Sequence, residues 1–298
     1  MQHAPVVTNL SLYDDGTSFA IRLTDGSFIM IDGGTSDEAY LYNEKILTEH
    51  LKKYSDANKP KIAAWIITHY HLDHVDFAAD YLTRHVDDIE VCAFLENGYG
   101  DEPYPCAETV ERWRKATSNY PNAIRHTLVS GETVYFPGVE MRVLLSERSR
   151  AGSPSELLHP GPNSLSAALY FKFDTGRTFT VHGDCTEQRL TELLTYTESP
   201  VYQPVGQRHS DILQVAHHGF PYSGPRYYKL LSDLHREISP KVAFFTVSRE
   251  DFTNDYRYND PKYVSNRVLL DDPNVLCLHH EKSHSFVMAK EGVYPIDD

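Results

Sequence analysis

The stretch THYHLDH, residues 68–74, places three histidines and one carboxylate within six positions. It follows directly on the apolar run IAAWII, residues 62–67, which predicts a buried β-strand. A helical pattern begins near Val75. The motif is therefore expected on a loop at the carboxyl end of a strand, where the side chains of a short segment can converge on one point.

The spacing within this motif indicates ligands for two metal ions. His69 and His71 are two residues apart on a strand-end turn, so both imidazoles can bind one ion. Asp73 and His74 are carried onward by the chain and can bind a second ion. One loop can thus supply half of a site for two metals.

A site for two metals needs more ligands, and the sequence offers them at other predicted strand ends. Asp184 follows the strand 178–181, and its carboxylate can bridge two cations about 3.5 to 4 Å apart. His217 and His218 follow the strand 212–216, and one of them can complete the second site. Asp32, at the end of another strand, would orient a ligand without binding the ion itself.

His217 and His218 are adjacent, which bears on how many of them bind metal. Neighbouring residues on an extended segment point to opposite sides, so the two rings are not expected to bind the same ion side by side. One of the two is therefore a ligand and the other is not.

The rest of the chain alternates predicted strands and helices without a boundary typical of a linker. Hairpins are predicted about Pro137-Gly138 and about Asp174-Thr175-Gly176, because each pair of strands is joined by turn residues. The segment 150–162 is interpreted as one long loop. We therefore predict an α/β fold with a single domain over residues 1–298.

The order of these motifs resembles that of the metallo-β-lactamase superfamily. The motifs are the strand that ends in Asp32-Gly33-Gly34, the HxHxDH block, Gly183-Asp184 and His217-His218-Gly219. The resemblance extends over nearly the whole chain. It implies an αββα sandwich with its metals at one edge.

A closer similarity is to the hydrolase domain of DNA-internalisation competence proteins and to phosphorylcholine esterases. It lies in Asn163-Ser164-Leu165 and in Val215-Ala216-His217-His218-Gly219. Both relatives cleave phosphodiesters, so the resemblance implies that activity here. It also implies that His218 is the ligand shared with Asp73 and His74, that His217 lies beside the substrate, and that Asn163, Ser164 and Ser223 support ligands or substrate.

The chain departs from the superfamily at one expected ligand. Many members carry a histidine in a Pro-Gly-His turn, whereas this chain has Pro160-Gly161-Pro162-Asn163. The first ion would then be held by His69, His71 and Asp184 with water, which is still a catalytic arrangement, unless His159 takes the missing place.

The chemistry expected of two adjacent cations is hydrolysis. They lower the pKa of a bridging water, so hydroxide is available near neutral pH as the nucleophile. Asp73 or Asp184 would accept a proton, and His217 or a water would donate one to the leaving group. Ligands of mixed histidine and carboxylate type suit divalent Zn first, with Mn or Fe as alternatives.

Three histidines near the C-terminus, His279, His280 and His284, lie beside Glu281. No matching carboxylate spacing or strand-end context supports metal binding there. We expect these residues to flank the last hairpin instead.

Charge and cysteine usage bear on partners and location. The formal net charge of -14 opposes the approach of long nucleic acid, so the expected substrate is a small molecule or a short phosphodiester. No apolar run reaches the length of about 18 residues that a membrane span needs. The four cysteines are far apart and the N-terminus does not resemble a signal peptide, which predicts a cytoplasmic protein.

Two alternatives remain open beside the phosphodiesterase. The same fold hosts hydrolases of thioesters, lactones and β-lactams, because fold does not fix chemistry. A metal-binding module without catalysis is the third hypothesis. The ligand set, which is intact except for the histidine of the Pro-Gly-His turn, argues against that third hypothesis.

Overall fold

A computed structural model describes most of the 298-residue chain. The described residues are 3–13, 16–36, 40–97, 106–146, 162–186, 189–190, 193, 209–220, 228–254 and 266–296. His159 and Ser223, which the sequence analysis singled out, lie outside these ranges, and so do residues 150–161 of the predicted long loop.

The first β-sheet has nine strands among the described residues. They are β1 (Val6–Asn9), β2 (Ser18–Arg22), β3 (Phe28–Asp32), β4 (Lys61–Ile67), β5 (Glu90–Val91), β6 (Ala93–Glu96), β7 (Ile124–Thr127), β15 (His284–Ala289) and β16 (Gly292–Ile296). Their order is β16-β15-β1-β2-β3-β4-β6-β7, with β5 also beside β4. The central strands β3 and β4 are parallel, so their carboxyl ends lie at the same edge.

The second sheet has seven strands in the same described part of the chain. They are β8 (Thr133–Phe136), β9 (Val139–Leu145), β10 (Ala168–Phe173), β11 (Thr178–Val181), β12 (Ile212–Gln214), β13 (Val242–Phe244) and β14 (Leu276–Leu278). They follow one another in the order β14 to β8. The antiparallel pairs β8–β9 and β10–β11 confirm the two predicted hairpins, and β11 to β14 are parallel.

Helices cover the outer faces of both sheets. They are α1 (Tyr40–Tyr54), α2 (Leu72–Arg84), α3 (Ala107–Thr117), α4 (Tyr228–Ile238), α5 (Arg249–Asn254) and α6 (Arg267–Leu270). The described helices include no segment with the length and apolar character that crossing a bilayer requires.

Helix α2 begins at Leu72, three residues before the predicted start near Val75. Asp73 and His74 therefore lie in its first turn and not on the preceding loop, which corrects the sequence analysis. The reason is that the buried face of α2 already begins at His74 and continues one turn later at Ala78.

Three apolar clusters confirm the predicted αββα sandwich. Strand β3 shows the layering, because its side chains alternate between two of the clusters. Phe28 and Met30 pack with α1, α2 and α3 on the outside of the first sheet. Ile29 and Ile31 pack against the second sheet, where they meet residues such as Phe179. The third cluster lies between the second sheet and α4 to α6.

Candidate metal centre

The candidate site is built at the carboxyl ends of parallel strands from both sheets. Asp32 is the last residue of β3, and the His-rich segment follows the parallel neighbour β4. Asp184 follows β11, and the His217–Gly219 turn follows the parallel neighbour β12. Because the two sheets pack face to face, the polar residues from these four strand ends meet at one edge.

Helix α2 also approaches this edge closely. A Cβ atom on Gly33, the residue after β3, would collide with Ala78 of α2, so only glycine fits there. The close approach brings the first turn of α2, which carries His74, onto the end of β3.

The structure brings six of the predicted residues together in two groups that share Asp184. His69, His71 and Asp184 form one group. Asp73, His74, Asp184 and His218 form the other. Within each group the atoms able to bind metal all lie within 4.8 Å of one another. Metal binding by these residues remains a prediction.

Several atoms of the two groups are buried and face one another closely. His74 Nε2 lies 3.2 Å from Asp184 Oδ1, and His69 Nε2 lies 3.8 Å from Asp184 Oδ2. These two nitrogens and Asp184 Oδ1 have no hydrogen-bond partner among the described residues. Buried polar atoms without partners are costly, so such a cluster points to a ligand.

The hydrogen bonds behind two of the rings show which nitrogen carries the proton. His74 Nδ1 donates to Asp32 Oδ2 at 2.8 Å. The Thr68 hydroxyl donates to the same carboxylate at 2.7 Å, so toward His69 it can only accept, and His69 Nδ1, 3.2 Å away, is the donor. When the rings are neutral, both therefore present the lone pair of Nε2 toward the carboxylates.

The third ring follows the same rule. His218 Nδ1 lies 3.1 Å from the carbonyl oxygen of Thr246, which can only accept, so Nδ1 is the donor. His218 Nε2 then faces Asp73 Oδ2 at 3.1 Å and Asp184 Oδ2 at 3.6 Å. Lone pairs that face carboxylates repel unless a positive charge lies between them. The residues therefore fit divalent cations.

The pKa shifts within the cluster also favour bound cations. Burial alone would lower the pKa of His218, but Asp184 and Asp73 outweigh it and raise the pKa to about 10. The pKa of His74 also rises well above its usual value, since Asp184, Asp73 and Asp32 oppose burial. Burial would raise the pKa of Asp184, but His74 and His218 hold it well below its usual range. Protons on two histidines thus balance the carboxylates, and bound cations would replace them.

The turn at His217 and His218 differs from the extended segment that the sequence analysis assumed. Strand β12 ends at Gln214, two residues earlier than predicted, and His217–Gly219 form a 3₁₀ turn. Both histidines have left-handed backbones, with φ of 52° and 56°. The premise of alternation along a strand is wrong, yet only His218 belongs to a metal group, because the turn directs His217 Nδ1 to the Phe220 carbonyl at 3.0 Å.

Left-handed backbone recurs at this edge of the protein. Asp32 also has a positive φ, of 56°, which is uncommon for a residue other than glycine. Such conformations cost about 1 to 3 kcal/mol each and occur mostly where the surrounding structure enforces them. Three strained residues around one cluster support a functional role for it.

Of the remaining predicted residues, His159 and Ser223 lie outside the described ranges. Asn163 and Ser164 belong to a 3₁₀ turn, Pro162–Leu165. Asn163 is buried, and its carbonyl accepts the Ser166 N–H at 3.1 Å.

Sequence reasoning missed the polar residues that hold the ligands in place. Ser166 Oγ accepts the Asp184 N–H at 2.9 Å and lies 3.4 Å from His69 Nδ1. Asn97 Nδ2 donates to the Thr68 carbonyl at 3.0 Å and to the Leu165 carbonyl. The only sequence signal for Ser166 was its position directly after Asn163-Ser164-Leu165.

A family model described as the metallo-beta-lactamase superfamily matches residues 13–229. The chain belongs to this superfamily. The match includes every residue of both metal groups. Members of the superfamily are mostly metallo-hydrolases. No curated protein sequence matches the chain.

Solved structures share the fold of this metallo-β-lactamase superfamily member at low sequence identity. The metallo-beta-lactamase fold protein YhfI from Bacillus subtilis is 9% identical, with a TM-score of 0.54 over 94% of this chain and 98% of that one. The diiron β-hydroxylase CmlA from Streptomyces venezuelae is 12% identical, with a TM-score of 0.53 over 97% of this chain and 55% of that one. At such identities the likeness shows the fold alone.

Proposed function

We propose that this protein is a hydrolase that depends on two divalent metal ions and acts on phosphodiesters of small or medium size. The observation that carries the proposal is that two His/Asp groups share Asp184. A carboxylate shared by the two groups can hold two cations close together, so that both act on one substrate.

The choice of phosphodiesters rests on a resemblance in sequence. Asn163-Ser164-Leu165 and Val215-Ala216-His217-His218-Gly219 resemble motifs of relatives that cleave phosphodiesters.

The chain supplies ligands and groups that move protons. Asp184 would help to hold both ions. His69 and His71 would hold one ion with it, and Asp73, His74 and His218 would hold the other. When bound, the ions would supply Lewis acidity and activate water near neutral pH. Asp73 or Asp184 would accept a proton. His217, whose Nδ1 donates to the Phe220 carbonyl, would use Nε2 to protonate the leaving group.

The proposal also covers partners and location. The net charge of -14 opposes the approach of long duplex DNA, so short or small phosphodiesters are favoured. We keep a cytoplasmic location, without a membrane partner, as part of the proposal.

One substrate panel tests the function. Protein purified without chelator is analysed for transition metals, with close to two equivalents expected after loading with Zn or Mn. Turnover is then compared on bis(p-nitrophenyl) phosphate, a nitrocefin-type lactam and a thioester, with Asp184→Asn as the control for contaminating hydrolases. The diester should react fastest.

The other outcomes separate the alternatives. Faster turnover of the lactam or the thioester would assign the protein to the second hydrolase class. Two bound metals without turnover of any substrate would favour the metal-binding module. A metal content well below one equivalent would contradict the proposal that the protein is a metal-dependent hydrolase.

A further inference from the structure

Two buried threonines, Thr17 and Thr246, connect the two sheets at the metal-bearing edge. Thr17 directly precedes β2 of the first sheet, and Thr246 follows β13 of the second. Both side chains are fully buried. The Thr17 hydroxyl donates to the Thr246 hydroxyl oxygen at 3.1 Å, which makes a direct hydrogen bond between the two halves of the sandwich.

Each threonine also contacts one residue of the same metal group. The backbone N–H of Thr17 donates to the carbonyl of Asp73 at 3.1 Å. The hydroxyl oxygen of Thr246 lies 2.9 Å from His218 Nδ1, in addition to its carbonyl oxygen at 3.1 Å. Since His218 Nε2 lies 3.1 Å from Asp73 Oδ2, the four residues close a ring of contacts.

The two polar groups of Thr246 act differently on His218. The carbonyl oxygen can only accept, so it fixes Nδ1 as the protonated nitrogen and leaves Nε2 for the ion. The Thr246 hydroxyl accepts a hydrogen bond from Thr17, so it fixes the position of the His218 imidazole relative to the first sheet.

This ring of contacts matters because Asp73 and His218 come from opposite halves of the molecule. Asp73 lies on α2, which packs on the first sheet, and His218 follows a strand of the second sheet. Their separation depends on how the sheets pack, whereas ligand geometry must hold within about 0.5 Å. A hydrogen bond across the sheets removes that freedom.

We propose that Thr17 and Thr246 are positioning residues that hold Asp73 and His218 at the spacing of one metal site before the ion binds. This inference rests on the proposed function. It adds to that function two residues that are not metal ligands and that act on only one of the two sites.

The test uses substitutions that keep shape and remove the hydroxyl. Thr246→Val and Thr17→Val should each lower the metal affinity of the site that contains Asp73 and His218 by about 10-fold. This is the lower end of the range for residues that support a ligand. Competition titration with a chromophoric chelator measures the affinities, and the absorption spectrum of the Co(II)-loaded protein reports the geometry at the changed site. The double variant should lose less than the product of the single losses, because both remove the same hydrogen bond.

A matched control exists in the first sheet. Thr8 is fully buried, and its hydroxyl lies 3.0 Å from that of Ser285 across β1 and β15, so it forms a hydroxyl pair between two strands of the first sheet. Thr8→Val should keep both metal affinities even if it unfolds at a lower temperature. Thr17→Ser and Thr246→Ser retain the hydroxyl and should restore wild-type affinity and the wild-type Co(II) spectrum.

The outcomes distinguish this inference from the proposed function. If the wild-type protein binds two ions and both valine variants match Thr8→Val in affinity and spectrum, the positioning role is wrong and the metallo-hydrolase proposal stands. If the wild-type protein binds no metal, both fail. If either valine variant does not fold, the serine variants decide, since altered affinity despite a retained hydroxyl would also contradict the role.

Discussion

Two pairs of adjacent histidines follow strands of the second sheet, and they have opposite surroundings. His218 follows β12 and directs Nε2 toward the carboxylates of Asp73 and Asp184, at 3.1 and 3.6 Å. His280 follows β14, and its Nε2 donates to the backbone carbonyl of Leu12 at 2.7 Å. Both side chains are buried.

The difference in neighbours sets opposite charge states. Burial and nearby charges together hold the pKa of His280 at about 4, with burial as the main cause, so this ring is neutral at pH 7. At His218 the carboxylates overcome the same burial and raise the pKa to about 10. His-His dipeptides in similar places thus become a candidate metal ligand in one case and a structural hydrogen-bond donor in the other, because charges from distant segments differ.

The largest expected effect comes from removing the carboxylate that both metal groups share. Asp184→Ala should abolish hydrolysis and lower metal occupancy at both positions. The loss of activity should exceed the roughly 100-fold effect of substituting a residue that only supports a ligand. Metal analysis and steady-state turnover measure the two losses. Wild-type turnover in this variant would contradict the bridging role.

The two histidines after β12 should separate metal binding from rate. His218→Ala should lose metal from one site, because His218 is in a metal group and His217 is not. His217→Ala should keep both metals and lose about 10²- to 10⁴-fold in rate, as expected for a proton donor. Metal content of the two variants decides, and the reverse pattern would overturn the assignment.

Asp32 should show a smaller effect, because it contacts a ligand and is not itself in a metal group. Its carboxylate accepts from His74 Nδ1 at 2.8 Å and from the Thr68 backbone N–H at 2.8 Å. Asp32→Ala should weaken metal binding by about 10- to 100-fold. Titration of the metal-free variant with Zn measures this, and an unchanged affinity would show that His74 needs no support from Asp32.

The smallest effect is expected at the second pair of histidines, and it concerns stability and not metal. His280 has a folded pKa of about 4, below the value of about 6.5 for an unfolded histidine, so the unfolded chain binds more protons between these values. Its contribution to stability is therefore present above about pH 6.5 and is lost as pH falls, by about 2 kcal/mol at pH 5.

Denaturant unfolding at pH 7 and pH 5 tests this. Between pH 7 and pH 5 the free energy of unfolding should fall by about 2 kcal/mol more in the wild type than in His280→Gln. The variant lacks the titrating ring, and the other titrating groups contribute equally to both proteins. Both proteins should bind the same amount of metal. An equal pH dependence in the two proteins would contradict the low pKa of His280.

Much of the fold was accessible from local patterns. The apolar run at residues 62–67 and the turn residues at Pro137-Gly138 led to the correct strand and hairpin, since both signals arise within a few residues. Element boundaries were less accurate. Helix α2 starts earlier than predicted, because packing of His74 against the end of β3 extends it, and β12 ends earlier because a left-handed turn follows.

The sequence by itself determined the types of ligand and their placement at strand ends, because a motif such as THYHLDH fixes spacing and direction within a few residues. Only the tertiary structure decided which pair of adjacent histidines meets carboxylates, which ring nitrogen carries a proton, and that Thr17, Thr246 and Ser166 surround the site. The reason is distance along the chain. His218 and Asp73 are 145 positions apart, and charge and protonation depend on neighbours in space, which the packing of two sheets brings together.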